Sequence, residues 1–268
     1  VALPLFDPTT DPGPDFSALV QRSGLRLPVA HESDLRVAHA TTVGALKFAD
    51  GVVIAGDRRA TAGNVIAHRS VEKVFPADRF SAVAISGAAA FASEMVRLFQ
   101  VQLEHYEKVE GVALTLEGKA NQLAQMVRTN LGMAMQGFVV VPLFCGYDTS
   151  RGEGRIFDYD VAGGHYEEAD YQAIGSGGTY AETAIRLGFR EGLTRDEALE
   201  LAILSLYEAA DADSATGGPD VIRGIYPVVA TVTAEGYARL TDEDVATRFE
   251  VIVERRRASG GDAGGTLR

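Results

Sequence analysis

The chain has 268 residues, 46% apolar and 23% charged, enough for a sizeable core in one large domain or two small ones. Its net charge of −12 argues against a nucleic-acid partner, because binding a phosphate backbone needs clustered Lys and Arg. No apolar run approaches the roughly 18 residues that span a bilayer. The opening V-A-L-P-L-F-D lacks the build of a signal peptide, and the single cysteine, Cys145, permits no internal disulfide. These features fit a cytoplasmic protein with no membrane partner.

Residues 1–40 stand apart from the rest. Pro4, Pro8, Pro12, Pro14 and Pro28 interrupt them, one short helical patch lies around Phe16–Arg22, and such a segment cannot build a core of its own. It reads as a leader. From Thr41 the pattern changes to two β-rich runs, Thr42–Phe48 and Val52–Gly56, joined by the turn signal Ala49-Asp50-Gly51. Ser81–Ser86 is a further strand. Phe91, Met95, Leu98, Phe99, Leu103 and Tyr106 then recur at helical spacing, and a second amphipathic helix follows on Leu116, Ala120, Leu123, Val127, Leu131 and Ala134. Val139–Tyr147 and Arg155–Val161 form a second strand pair. Helices are predicted over Thr179–Leu187 and Thr194–Ala210, the latter opened by a capping box, Thr194-x-x-Glu197. A strand over Arg223–Thr233, a turn at Glu235-Gly236 and a helix over Asp242–Arg256 complete the series, before a flexible tail at 258–268. Strands grouped in pairs and helices grouped in pairs predict an α+β fold of two antiparallel sheets with helix layers outside.

The familiar catalytic constellations are missing. Cys145 lies in the apolar run V-V-V-P-L-F-C-G-Y, where an inert buried thiol is expected. The five histidines show no metal-ligand spacing, and neither a G-x-S-x-G elbow nor a P-loop occurs, so no metal and no cofactor is expected. What remains is the junction at Thr41. A threonine hydroxyl needs an adjacent base, and one solution is the residue's own α-amine, whose pKa of about 7.7–8.0 leaves a useful unprotonated fraction near neutrality. Inside an unbroken chain that nitrogen is an amide without basicity. Read on its own, the Thr-Thr pair is better taken as the opening of a β-strand than as the source of a nucleophile.

T-T-V-G-A-L-K-F followed by G-V-V-I-A-G-D-R-R-A-T-A-G-N, then V-E-K-V-F, G-A-A-A, G-S-G-G and D-S-A-T-G-G-P-D, occur in an order and spacing that resemble the bacterial proteasome β subunit, from Thr41 to about Arg257. The resemblance implies an N-terminal-nucleophile hydrolase fold, a four-layer αββα sandwich, with 1–40 as propeptide and 41–257 as catalytic domain. It implies a threonine endopeptidase: Thr41 as nucleophile, Lys73 beside it, Asp57 holding the lysine and Gly87 offering a backbone N–H to the oxyanion. Ser176 and Asp213 match the polar pair near the threonine amine, and Thr216 stands where the family commonly has serine. Thr61, Gly63 and Ala89 are placed along the substrate cleft, and Ala60, Phe75, Ile85 and Ala89 around an apolar side-chain pocket, which suggests cleavage after large apolar residues.

The implied partners are α subunits, further copies of this chain in heptameric β rings, unfolded polypeptide as substrate and a separate ATP-dependent unfoldase. The long leader and the C-terminal segment favour this family over the simpler two-ring bacterial peptidase. The Thr41, Asp57 and Lys73 set speaks against a scaffold-only subunit. One position departs from the family: Ala40 replaces the glycine that precedes the threonine at the cleavage site. Self-attack demands a tight turn there, where glycine's free φ helps most, so slowed or blocked processing is expected.

Overall fold

The computed structural model describes residues 41–63 and 65–262; the leader with its patch at 16–22 and Ala40, together with residue 64 and residues 263–268, lies outside them. The first sheet has the order β10-β1-β2-β11-β12, built from β10 (Tyr171–Gly175), β1 (Thr42–Phe48), β2 (Gly51–Gly56), β11 (Val228–Thr233) and β12 (Gly236–Arg239). The second has the order β5-β6-β7-β8-β9, from β5 (Val74–Asp78), β6 (Ser81–Gly87), β7 (Val140–Asp148), β8 (Glu153–Tyr159) and β9 (His165–Glu168). Every pairing in both sheets is antiparallel. A small ribbon, β3 (Ala60–Ala62) with β4 (Val65–His68), stands apart.

The period-2 alternation of the strands sorts side chains into layers. Val43 and Ala45 of β1, Val52 and Ile54 of β2, Ala82 and Ala84 of β6, and Leu143 and Cys145 of β7 meet in one apolar cluster between the sheets. The alternate residues face helices. Leu46, Val53 and Val229 pack under α4 (Gly178–Gly188), α5 (Arg195–Ala212) and α6 (Asp242–Asp262). Val83, Ile85, Phe144 and Phe157 pack under α1 (Ala89–Glu110) and α2 (Leu116–Thr129). The result is helix, sheet, sheet, helix. Thr194 caps α5 in the expected reciprocal arrangement with Glu197.

Several boundaries differ from the sequence reading, each for a local reason. The second amphipathic helix divides at Asn130, whose side-chain amide donates to the Met126 carbonyl and competes with the backbone; α3 (Leu131–Ala134) follows as a single turn. The strand expected from Arg223 begins only at Val228, because residues 220–225 close a turn through a bridge between Asp220 and Ile225 and Pro227 offers no N–H. The strand expected to reach Val161 stops at Tyr159, where Asp160 takes the N–H groups of Ala162 and Gly164 in a turn. The last helix continues past Arg257 to Asp262, into the segment read as tail.

Candidate active site

Thr42 heads β1 with Thr41 directly before it, and the geometry at this end of the sandwich is organised around them. Both are buried, as are Asp57 and Lys73. Asp57 follows β2 directly and brackets Thr42: its own N–H donates to the Thr42 carbonyl at 3.0 Å, and its Oδ1 accepts the Thr42 N–H at 2.8 Å. The same Oδ1 accepts Lys73 Nζ at 2.6 Å. Asp57 Oδ2 accepts the N–H groups of Arg59 at 2.9 Å and Gly217 at 2.8 Å. Lys73, just ahead of β5, also donates to the Arg59 carbonyl at 2.6 Å. Burial holds the Lys73 ammonium below its ordinary pKa of 10.5; the charge and hydrogen bond of Asp57 act the other way and offset this only in part. The lysine therefore releases a proton more easily than a surface lysine does.

A second chain of polar groups runs from the hydroxyl of Thr42. Its Oγ1 accepts the Gly177 N–H at 2.9 Å and lies 2.6 Å from Thr216 Oγ1, which donates to Asp213 Oδ2 at 2.6 Å. Thr216 spends its proton on the carboxylate, so the Thr42 hydroxyl is the donor between the two threonines. Ser176 Oγ donates to the same Asp213 oxygen at 2.6 Å, while the Ser176 N–H donates to the Thr41 carbonyl at 2.9 Å. Desolvation pushes the Asp213 carboxyl upward, but the hydroxyl donors of Ser176 and Thr216 and the nearby backbone N–H groups outweigh it and hold the group below 3.8.

Thr41, Lys73 and Gly87 line one pocket together with Ala60, Phe75 and Ile85. Gly87 ends β6 with φ +117°, and a Cβ there would fall 2.0 Å from the Val139 carbonyl oxygen, so the position admits only glycine. Ala92 and Ser93 close the pocket from α1; Ala89 is the first residue of that helix, and its side chain lies outside the described residues. Thr61 and Gly63 continue along β3 and its turn, outside this lining.

Thr42, Gly177, Gly217 and the Arg59 carbonyl carry as much of this geometry as the residues singled out from sequence. A signal for Thr42 exists: it falls on the helix-facing side of a strand that is otherwise apolar there, and a fully buried hydroxyl requires partners. Nothing in the sequence points to the backbone groups.

Two antiparallel sheets face to face between helix layers, with threonine, aspartate and lysine gathered at one end of the sheets, define an α+β sandwich of the N-terminal-nucleophile hydrolase type. The model of the family described as "Proteasome subunit" matches residues 37–223. A proteasome subunit beta from Acidimicrobium ferrooxidans is 62% identical over 264 residues, covering 96% of this chain and 97% of its own. Proteins of the same description from Streptomyces griseus and a Parafrankia species are 58% and 54% identical, covering 81% and 84% of this chain and 78% and 82% of their own. The chain belongs to the proteasome family and is a β subunit of the bacterial kind.

Proposed function

We propose that the chain is the precursor of a threonine endopeptidase subunit of a proteasome core particle, with Thr41 as the nucleophile once the bond to Ala40 is cut. The observation that carries this reading is a shared acceptor. Asp57 Oδ1 takes both Lys73 Nζ and the Thr42 N–H, which ties the residue next to Thr41 to the carboxylate that holds the lysine. Cleavage turns the Thr41 amide into an α-amine basic enough to accept the hydroxyl proton. Thr41 Oγ then adds to a peptide carbonyl, the oxyanion is met by the backbone N–H at Gly87, and the positive field of Lys73 lowers the cost of the developing alkoxide. The tetrahedral species collapses to an ester as the amine half of the substrate leaves with the proton. Water hydrolyses the ester and restores the threonine.

The substrate is unfolded polypeptide, bound extended. Ala60, Phe75 and Ile85 give its side-chain pocket an apolar wall that favours cleavage after large apolar residues. The relatives' description as subunits supports assembly with α subunits and with further copies of this chain in rings; an ATP-dependent unfoldase would be a separate partner. Ala40, where the resembled family has glycine, slows self-cleavage by adding a Cβ to a tight turn.

The test is the intact mass of the chain after mixing with its α partner. Unchanged chain should persist as the 268-residue precursor, whereas Ala40→Gly should yield the mass of Thr41–Arg268 and release peptidase activity. Should both remain full-length, alanine is not the obstacle. Peptide hydrolysis that survives Thr41→Ala in the assembled particle would remove Thr41 as nucleophile.

A further inference from the structure

The two residues after Asp57 border a second recess that peptide hydrolysis leaves unused. Arg58, Arg59 and Arg69 line it with Gly217, Asp220 and Tyr226, around an empty volume of about 320 Å³ counted to its open mouth. In a chain of net charge −12, three arginines lining one small recess are an unusual concentration of positive charge. Pairing within the chain cancels it only in part. Arg59 Nη1 donates to a neutral acceptor, the Ser214 carbonyl, at 2.9 Å. Arg58 reaches the half-exposed Asp242 only at 3.4 Å, and its buried Nε has no hydrogen-bond partner among the described residues. Asp220, in the same lining, feels the charge of Arg69, but its hydrogen bonds go to Arg223, from Nη1 at 2.7 Å and the backbone N–H at 3.1 Å.

An oxyanion entering the recess would give these arginines the charged acceptor that the chain supplies only in part, through charge-assisted hydrogen bonds. We propose that this recess binds a small oxyanion, a phosphate or a carboxylate group, through Arg58 with Arg59 and Arg69. The recess shares a wall with the site described above. Gly217 donates to Asp57 and the Arg59 carbonyl receives Lys73, so the occupant rests against the backbone that fixes the catalytic pair. Binding is read without catalysis and stands or falls independently of the role of Thr41.

The experiment is a calorimetric titration of the full chain with inorganic phosphate at constant ionic strength, with chloride as the baseline and glutarate as a second titrant. Saturable binding of either anion is expected, weakened about 10-fold or more by Arg58→Gln. Arg69→Gln should also weaken it, and because Arg69 is exposed this variant carries the test if the first fails to fold. Phosphate alone would assign the site to tetrahedral anions, glutarate alone to carboxylates and both to oxyanions in general; each upholds the proposal. Absence of saturation with both titrants, or equal affinity in the unchanged chain and both variants, overturns it.

Discussion

One carboxylate, Asp57, accepts four hydrogen bonds while fully buried, from Lys73, Thr42, Arg59 and Gly217. A buried charge so completely satisfied acts as a fixed point, and it holds the Lys73 ammonium in place. On the proposed reading, Lys73→Arg keeps the positive charge but not its placement, because a planar fork does not fit two acceptors that both meet a single Nζ at 2.6 Å. Peptide hydrolysis by the processed particle should fall by about 100-fold or more. Activity within threefold of the unchanged enzyme would show that a positive charge is all the site asks for. Asp213 makes a prediction about pH. Its folded-state pKa lies below the unfolded value, so its contribution to stability is present above about 3.8 and is lost as pH falls through the folded value. Asp213→Asn should therefore be less stable than the unchanged chain at neutral pH, with a gap in urea midpoint that narrows as the medium is made more acid. A gap that widened on acidification would reverse the sign and with it the assignment of the hydroxyl donors.

The strands hold these side chains in register, and their ends are where substitution is least tolerated. Gly175, the last residue of β10, pairs with Thr42 and has φ +103°; a Cβ there would lie 1.8 Å from the Thr41 carbonyl oxygen. Gly175→Ala should lower stability by more than about 1 kcal/mol and displace Thr41, so that urea midpoint and hydrolysis fall together. Full activity at a lowered midpoint would mean that β10 can move without carrying the threonine. The same strand illustrates what the sequence could reveal. The inner strands β1, β2, β6, β7, β8 and β11 have 6–9 residues in largely apolar, largely buried runs, and each was legible. The strands that were not legible are the edges, β5, β9, β10 and β12, with 4 or 5 residues each, and the β3–β4 ribbon. An edge strand buries one flank only, needs little apolar patterning and tolerates a proline such as Pro76 in β5. In the site, Thr41, Asp57 and Lys73 stood out only through the order of motifs around them. The backbone donors of Gly177 and Gly217 are products of tertiary packing, and no side-chain pattern encodes them.

At the scale of the molecule, both outer helix layers present apolar side chains to solvent. Leu98 and Val101 of α1 are 51% and 61% exposed, and on α4 Leu187 is 82% and Tyr180 48% exposed. The α4 residues border a wide groove whose floor includes Leu201 and Leu204 of α5. Scattered surface leucines need no explanation, but a groove with an apolar floor marks a contact surface, and for a subunit of a proteasome core the natural occupant is another subunit. Leu187 makes this testable because it contributes little to the fold. Leu187→Lys should leave the unfolding midpoint of the isolated chain within the equivalent of about 0.5 kcal/mol, while placing an unpaired charge on the groove. Mixed with the α partner, the variant should elute from a sizing column as free or partly assembled subunits where the unchanged chain forms particles. Particles forming in equal yield would show that α4 faces solvent in the assembly as it does in the single chain, and would leave the α1 face as the apolar surface to be tested by the same substitution at Leu98.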